Sequence, residues 1–151
     1  MIQARWFIDG DLSDAFMIRR RVFIEEQGID EAEEFDGTDA GAIHLVAYDD
    51  GRPVATGRIR LEDNQAVIGR VAVLRDERGK GYGGFVARVL IWQASEMSYD
   101  RQVVHAQLHA AGFYGRLGFA AVGEEYVEAG IPHITMVREG GALGGAQACG
   151  F

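Results

Sequence analysis

A glycine-dense turn between a predicted strand and a predicted helix constrains this chain more than any other segment. The turn consists of Arg78, Gly79, Lys80, Gly81, Tyr82, Gly83 and Gly84, with the strand predicted at 69–74 and the helix at 85–97. The first N–H groups of a helix have no partner within it, and the helix dipole places positive potential there, so such a turn suits a phosphate or pyrophosphate. Glycine keeps the approach open because it has no side chain. A surface turn that only begins a helix is the alternative interpretation, and the turn alone does not separate the two.

Two other kinds of phosphate site are disfavoured. The Gly-Lys-Ser/Thr ending that supplies a magnesium ligand in nucleotide hydrolases does not occur in the turn. A dinucleotide-binding fold is disfavoured because the turn between the predicted N-terminal strand and helix has a single glycine, Gly10, and so lacks the glycine fingerprint.

The composition describes one globular domain without a nucleic-acid-binding surface. The chain has 151 residues, 48% of them hydrophobic and 25% charged, which is enough to bury a core. Its formal net charge is −8, whereas nucleic-acid binding needs clustered Lys and Arg. The single cysteine, Cys149, excludes an intrachain disulfide and gives no metal-ligand spacing, so we expect no metal. There is no apolar run long enough for a membrane span and no signal-peptide pattern, so we expect a cytoplasmic protein without a membrane partner.

Periodicity and turn signals predict an α/β fold, more closely an α+β mixed sheet with helices on its faces. Strands are predicted at 4–8, 43–48, 53–61, 66–74, 102–108, 119–127 and 133–138. Helices are predicted from Asp11 or Ser13 to about residue 27, at 85–97, and over a short segment that ends at about 117. Three hairpin-connected strands followed by a strand–helix–strand crossover imply the mixed sheet. We predict a single domain over residues 1–139 and a flexible Gly/Ala-rich tail over 140–151.

A second motif, FYGRLGF, occupies residues 113–119. Its simplest interpretation is structural, with Phe113 and Tyr114 in the core and Gly118 ending a helix. A tyrosine hydroxyl can also donate a proton to a leaving group, since its unperturbed pKa near ~10 makes it an acid more naturally than a base.

Together these motifs resemble the GNAT superfamily of N-acetyltransferases. Segment 73–83, VLRDERGKGYG, resembles the acyl-CoA loop of that superfamily, whose core is Arg/Gln-x-x-Gly-x-Gly/Ala, and AAGFYGRLGF at 110–119 resembles its second signature. The segments RVFIEEQ at 21–27, EFDGTD at 34–39 and GIPHITM at 130–136 are similar to the ElaA-like branch of predicted acyltransferases. The resemblance covers roughly residues 4–138. It implies a GNAT-like acyl-CoA N-acyltransferase fold with about seven strands, four helices and a splayed central strand pair.

The resemblance implies that acetyl-CoA, or another acyl-CoA, is the donor and that the acyl group passes directly to an amine in a ternary complex. Backbone groups near Val71 and Val73 would pair with pantetheine, and the strands near Val73 and Val104 would splay to admit the thioester. Tyr114 would protonate the departing thiolate. Gln107 stands where the superfamily often has Asn and keeps the amide. The loop residues implied in donor binding are Arg78, Gly79, Lys80, Gly81, Tyr82, Gly83 and Gly84, with the N–H groups of 79–84 on the pyrophosphate.

Direct transfer needs a neutral amine, so some group must accept the proton of the ammonium ion. Glu26 and His133 are the candidate bases, because both lie within the motifs of the ElaA-like branch. A solvated helix-terminal charge and an ordinary strand residue are the respective structural alternatives. His105 alternates with apolar residues on its strand, which favours a half-buried structural histidine.

The segment from Glu25 to Asp39 holds eight carboxylates and no Lys or Arg. A charge run is most often a solvated loop. In the superfamily, however, the equivalent region borders the acceptor site, so this segment predicts a negative field that favours a cationic amine.

The predicted function is therefore an acyl-CoA:amine N-acetyltransferase with a small-molecule acceptor. Two alternatives remain open: a non-catalytic acyl-CoA sensor of the same fold, and a small α/β interaction domain whose glycine loop is only a turn. The resemblance leaves a homodimer open as well, although no sequence feature marks an interface.

Overall fold

The computed structural model describes residues 1–140 as a seven-stranded mixed sheet flanked by helices. The strands are β1 (Ile2–Phe7), β2 (Ile43–Asp49), β3 (Arg52–Glu62), β4 (Gln65–Val73), β5 (Gln102–Gln107), β6 (Ala120–Glu128) and β7 (Ile131–Arg138). The helices are α1 (Ser13–Arg19), α2 (Glu31–Glu34), α3 (Tyr82–Glu96) and α4 (Ala111–Gly115). The strand order is β1-β2-β3-β4-β5-β7-β6, and β4–β5 is the parallel pair. The predicted mixed α/β fold, with seven strands and four helices, is confirmed.

The N-terminal helical region differs from the prediction in two ways. The helix expected to run to about residue 27 changes at its middle, because α1 continues as a π-helix over Arg20–Glu26. Nothing in the sequence pattern explains this change. The short helix α2 was not predicted, since its four residues, EAEE, carry too little apolar periodicity to be recognised. Among residues 1–140, no helix is long and apolar enough to cross a membrane.

The predicted tail begins at Gly140 and otherwise lies outside the described residues. The predicted domain boundary at residue 139 therefore stays a prediction.

Turn chemistry explains the antiparallel half of the sheet. Between β2 and β3, Asp50 and Gly51 have φ values of 49° and 83°. Between β3 and β4, Asp63 and Asn64 have φ values of 47° and 62°. Positive φ at both central residues is the type I′ hairpin geometry, which Asp, Asn and Gly tolerate best. These two turns set the β2–β3–β4 meander in register.

The sheet separates two hydrophobic cores. Successive strand residues point to opposite faces, so Leu45 belongs to the core under α3, whereas Val46 belongs to the core under α1 and the π-helix. Helix α3 makes the crossover from β4 to the parallel strand β5 and approaches β3 closely at Gly57. A Cβ at Gly57 would lie 2.8 Å from Val86 Cγ1, so the absence of a side chain there lets the helix settle onto the sheet.

Strands β4 and β5 pair over only part of their length. Their register joins Ala66 with Gln102, Val67 with Val103 and Ile68 with Val104. Beyond that point β4 contains a bulge, because Gly69 pairs with Arg58 and Ala72 with Thr56 while two residues lie between them on β4 and one on β3. One of the two, Arg70, has a φ of 51°. The splayed central pair implied by the resemblance is therefore confirmed.

Candidate functional site

A cavity of about 1200 Å³ lies where β4 and β5 part. Its walls come from both strand ends, from the π-helix, from β3 and from the region around α4. The predicted site residues that line it are Glu26, Val71, Val73, Arg78, Gln107, Tyr114 and His133. Residues 79–84 follow Arg78 and do not line it. The fold thus gathers residues that are spread over more than a hundred positions of the chain.

The glycine loop presents a row of free backbone donors at the start of α3. The helix begins at Tyr82, and the N–H groups of residues 79–84 donate no hydrogen bond within residues 1–140. Gly79 and Gly81 have φ values of 82° and 86°, a conformation that glycine adopts without strain. A Cβ at either position would meet no atom within 4 Å. The conformation and the free N–H groups together fit an anionic diphosphate, with α3 adding the positive end of its dipole.

The polar side chains of the loop form contacts that hold the loop in place. The Tyr82 hydroxyl donates a hydrogen bond to Asp49, which anchors the first turn of α3 to the end of β2. Lys80 Nζ lies 2.9 Å from Glu77 Oε2, and Arg52 Nη1 lies 2.6 Å from Glu77 Oε1. The backbone N–H groups are therefore the donors at the centre of the loop, and Lys80 is held beside them by Glu77.

Arg78 links the π-helix to the end of β4. Its Nη1 and Nη2 lie 2.6 and 2.7 Å from the two carboxylate oxygens of Glu26, and its Nε donates to the Val73 carbonyl at 3.1 Å. The hydrogen bonds from Arg78 lower the pKa of Glu26. A carboxylate with both oxygens engaged and a lowered pKa is a weak proton acceptor, so this arrangement gives Glu26 a positioning role. Its predicted role as a base stays a prediction.

Tyr114 lies in the wall of the cavity with its ring 8% exposed. The rings of Phe113 and Phe119 pack against it edge-on, with centroids 5.0 and 5.7 Å away. Burial raises the pKa of Tyr114 to about 12. No side chain or carbonyl of residues 1–140 forms a hydrogen bond with its hydroxyl, so at neutral pH the cavity contains a protonated phenol that is able to donate.

Gln107 closes one side of the cavity by pairing with Gln27. Its Nε2 donates to Gln27 Oε1 at 2.8 Å, and Gln27 Nε2 donates back at 3.3 Å. His109 Nε2 lies 2.7 Å from Gln107 Oε1. The amide that replaces the superfamily's Asn thus bridges β5 and the end of the π-helix.

His133 is oriented by its own strand. Its Nδ1 lies 2.7 Å from the Ile131 carbonyl, which can only accept, so the proton is on Nδ1 and the lone pair of the neutral ring is on Nε2. The ring stacks on Tyr126, and Nε2 lies 3.8 Å from Glu128 Oε2. His133 is buried and lines the cavity.

His105 was predicted to be half-buried and structural, which is wrong. It is exposed and lines the cavity, because it is the first β5 residue after the last β4–β5 pair. Its Nδ1 lies 3.2 Å from both Thr135 Oγ1 and the Tyr126 hydroxyl. Alternation with apolar residues misled the prediction, since the face that it assigned to a core is open to the cavity here.

A network of arginines and carboxylates forms the cavity wall opposite α4, and the sequence did not predict it. Five of the eight carboxylates between Glu25 and Asp39 pair with arginines: Glu26 with Arg78, Glu31 with Arg20, Glu34 with Arg19 and Arg70, Asp36 with Arg70, and Asp39 with Arg19 and Arg58. The expected free negative field is therefore largely neutralised. The available signal was the pair Arg58 and Arg60, two charges at alternate positions of an otherwise apolar strand, which places both on one face.

Comparisons with known proteins agree with this geometry. The family model described as "Acetyltransferase (GNAT) domain" matches residues 19–139. The chain is 38% identical to the uncharacterized protein YyaT of Bacillus subtilis (strain 168) over 134 residues, covering 87% of this chain and 90% of YyaT. It is 35% identical to the uncharacterized N-acetyltransferase YjcF of the same organism over 129 residues, covering 85% of this chain and 92% of YjcF.

Two solved structures of similar sequence share the fold over nearly their whole length. An acyl-CoA N-acyltransferase from Pseudomonas aeruginosa has a TM-score of 0.83 and 33% identity, with 91% of this chain and 99% of that chain covered. Escherichia coli ElaA has a TM-score of 0.82 and 30% identity, with 92% of this chain and 100% of that chain covered. The resemblance found in the sequence is confirmed: the chain belongs to the GNAT family of acetyltransferases.

Proposed function

We propose that this protein transfers the acetyl group of acetyl-CoA to the nitrogen of a primary amine, by direct attack within a ternary complex. Membership of the family supports acyl transfer in general, and the names of relatives such as YjcF and the Pseudomonas aeruginosa enzyme point to nitrogen as the acceptor atom. The observation that carries the proposal is the protonated Tyr114 in the wall of a cavity that begins where β4 and β5 part.

The donor would be held by backbone atoms. The free N–H groups of residues 79–84 suit the pyrophosphate of CoA. The unpaired edge of β4 near Val71 and Val73 offers peptide groups to the pantetheine amides, as an added strand would use them. The acetyl thioester would then lie between β4 and β5, next to the cavity wall that contains Tyr114.

The reaction itself needs one proton acceptor and one proton donor. The ammonium ion of the acceptor loses one proton to a base, its nitrogen attacks the thioester carbonyl, and the carbon–sulfur bond of the tetrahedral intermediate breaks. The nitrogen gives up its second proton as the amide forms, and this proton replaces the one that Tyr114 donates. Tyr114 donates a proton to the departing thiolate, while His133 Nε2 accepts the amine proton, either directly or through water. We favour His133 over Glu26 because the Glu26 carboxylate is held by Arg78.

Two tests separate this function from its alternatives. Acetyl-CoA should raise the melting temperature, as any ligand that binds only the folded state does. An unchanged melting curve at millimolar acetyl-CoA would contradict both the enzyme and the sensor and leave the interaction domain. Thiol release from acetyl-CoA across a panel of primary amines should then show turnover. A melting shift without thiol release on any amine would support a sensor.

A further inference from the structure

Three arginines line the same part of the cavity, and none of them is used in the transfer chemistry described above. Arg58 and Arg60 lie two residues apart on β3, so their side chains share a face of the sheet. Arg70 lies in the bulge of β4, next to Gly69, which pairs with Arg58. The bulge and the register therefore bring guanidinium groups from two strands to one wall.

These guanidinium groups have hydrogen-bond donors left over. The Nε atoms of Arg58 and Arg60 are buried and donate no hydrogen bond within residues 1–140. The buried Nε of Arg70 lies 3.2 Å from Glu34 Oε2 as an ion pair without hydrogen-bond geometry. Arg58 is only 4% exposed, and its hydrogen bonds to Thr38 and Asp39 both come from Nη1, at 3.0 and 2.9 Å. A buried donor without an acceptor is destabilising, so a wall that keeps such donors is suited to a ligand that accepts hydrogen bonds.

The neighbouring carboxylates Asp39 and Glu34 already accept hydrogen bonds from arginines. Asp39 Oδ1 accepts from Arg19 at 2.7 Å and from Arg58 at 2.9 Å, and Oδ2 accepts from Arg19 at 3.2 Å. Glu34 Oε2 accepts from Arg19 Nε at 2.8 Å, and the Glu34 backbone carbonyl accepts from Arg70 at 3.1 Å. A cationic group next to Asp39 or Glu34 would compete with the arginines that already pair with these two carboxylates.

The lowered pKa of Arg58 also favours an anionic ligand at this wall. Burial, together with the charges of Arg70 and Arg19, lowers the pKa of Arg58 to about 10, although Asp39 opposes the shift. The charge on this guanidinium is therefore only partly compensated. An added anion near Arg58 and Arg70 would compensate it, and a planar carboxylate matches the paired N–H groups of a guanidinium.

We propose, on the basis of the proposed N-acetyltransferase function, that the acceptor is an amine that carries a carboxylate, an amino-acid-like molecule, and that Arg58, Arg60 and Arg70 bind the carboxylate. The amine of such a molecule reaches across the cavity toward the thioester and His133 while the carboxylate stays on the arginine wall. This assignment replaces the cationic acceptor that the acidic segment suggested, since arginines neutralise most of that segment.

Matched acceptors test the proposal in the wild-type protein. Thiol release from acetyl-CoA is measured for a series of α-, β- and ω-amino acids, for the carboxamide of each, and for the amine left when the carboxylate is removed. We expect kcat/KM to be about 10–100-fold higher for the carboxylate member of each set that turns over, because the carboxamide loses a charge-assisted hydrogen bond. Equal or better use of carboxamides, polyamines or phosphoethanolamine would overturn the carboxylate assignment while leaving the N-acetyltransferase function intact. Absence of thiol release from every amine would overturn both.

Variants of the arginines test where the carboxylate of the acceptor binds. Arg70→Gln and Arg60→Gln should raise KM for the carboxylate acceptor by a larger factor than KM for its carboxamide, whereas a general structural defect would affect both acceptors equally. Arg101→Gln is the matched control, because Arg101 is exposed and pairs with Glu139 at the surface. The acetyl-CoA melting shift of each variant reports whether the fold and the donor site survive. Retention of full carboxylate preference in both folded variants would contradict the assignment.

Discussion

Arg19 Nε lies 2.8 Å from Glu34 Oε2, and both side chains are almost fully buried, with 1% and 3% of their surfaces exposed. Asp39 completes the pairing of Arg19 from the other side. Burial raises the pKa of Glu34, although the charges of Arg70 and Arg19 oppose the shift. Since Glu34 and Asp39 also meet Arg70 and Arg58, Arg19 is the internal anchor of the wall that we assign to the acceptor.

We predict that Arg19→Met destabilises the protein by about 3–5 kcal/mol, because it removes one partner of a buried ion pair and leaves carboxylates with less compensation. Urea denaturation gives the free energy of unfolding. Arg20→Met is the matched control, since the neighbouring pair of Arg20 with Glu31 is exposed and should contribute no more than about 1 kcal/mol. Equal losses in the two variants would contradict the role of burial.

Tyr114→Phe should lower kcat about 100-fold or more and leave acetyl-CoA binding unchanged, because the ring and its packing remain while the proton donor is lost. Single-turnover thiol release measures the chemical step, and isothermal titration measures donor affinity. Wild-type turnover by this variant would exclude Tyr114 as the acid.

Gly81→Ala should weaken acetyl-CoA binding, because Gly81 has a φ of 86° at the start of α3 and an alanine there would displace the N–H groups that follow. Gly123→Ala is the matched control. Gly123 has a φ of 75° and equally open surroundings, but it lies on β6, outside the loop. Both variants should lose about 1–2 kcal/mol of stability, and only Gly81→Ala should also lose donor affinity. Similar donor affinity in the two variants would contradict the role of the loop.

Gly57→Ala should destabilise the protein by about 1–3 kcal/mol through overpacking. The new Cβ would lie 2.6 Å from Leu90 Cδ1 and 2.8 Å from Val86 Cγ1, and both neighbours are fully buried. Gly115→Ala, where no atom lies within 4 Å of the new Cβ, should leave stability unchanged or slightly higher. Thermal denaturation of the two variants provides the comparison, and a neutral Gly57→Ala would show that α3 can move away from β3.

Stability should fall as the pH is lowered from 7 to 6, in part because of His44. Burial lowers the pKa of His44 below its usual 6.5, since the ring is enclosed and Arg19 and Arg58 lie near it, although Asp39 opposes the shift. The folded state therefore binds a proton less readily than the unfolded state, and the free energy of unfolding decreases as the pH falls through the unfolded pKa.

Urea denaturation at pH 7 and pH 6 measures the decrease in the free energy of unfolding. We expect a smaller decrease in His44→Gln than in the wild-type protein. His109→Gln, which changes an exposed histidine, should keep the wild-type dependence. A full decrease in His44→Gln would assign the effect to another group.

Local pattern was sufficient to predict the fold and the position of the glycine loop at the start of α3. The hairpin turn at Asp63 and Asn64, the glycine loop and the start of α3 each depend on a few adjacent residues. The motif around Tyr114 likewise placed this tyrosine in the cavity wall, where burial raises its pKa to about 12. These features are short-range, so a single sequence contains the information for them.

The acceptor half depends on contacts that no local pattern encodes. Arg58 meets Asp39 across 19 positions of the chain, and Arg70 meets Glu34 across 36. Both contacts depend on the bulge of β4 and on its register with β3. Read along the chain, the acidic segment looked unpaired because its arginines come from elsewhere in the fold.

The three residue pairs that join β4 to β5 also have a mechanical consequence. They are the strand pairs at which the four-stranded part of the sheet, β1-β2-β3-β4, joins the three-stranded part, β5-β7-β6, and within residues 1–140 no further β4–β5 pair lies beyond them. Acetyl-CoA bound in that gap would link the two strands. Its amide groups would form hydrogen bonds like those that run between paired strands elsewhere in the sheet. Under the proposed function, the contact between β4 and β5 would become more rigid when acetyl-CoA binds and less rigid when CoA leaves.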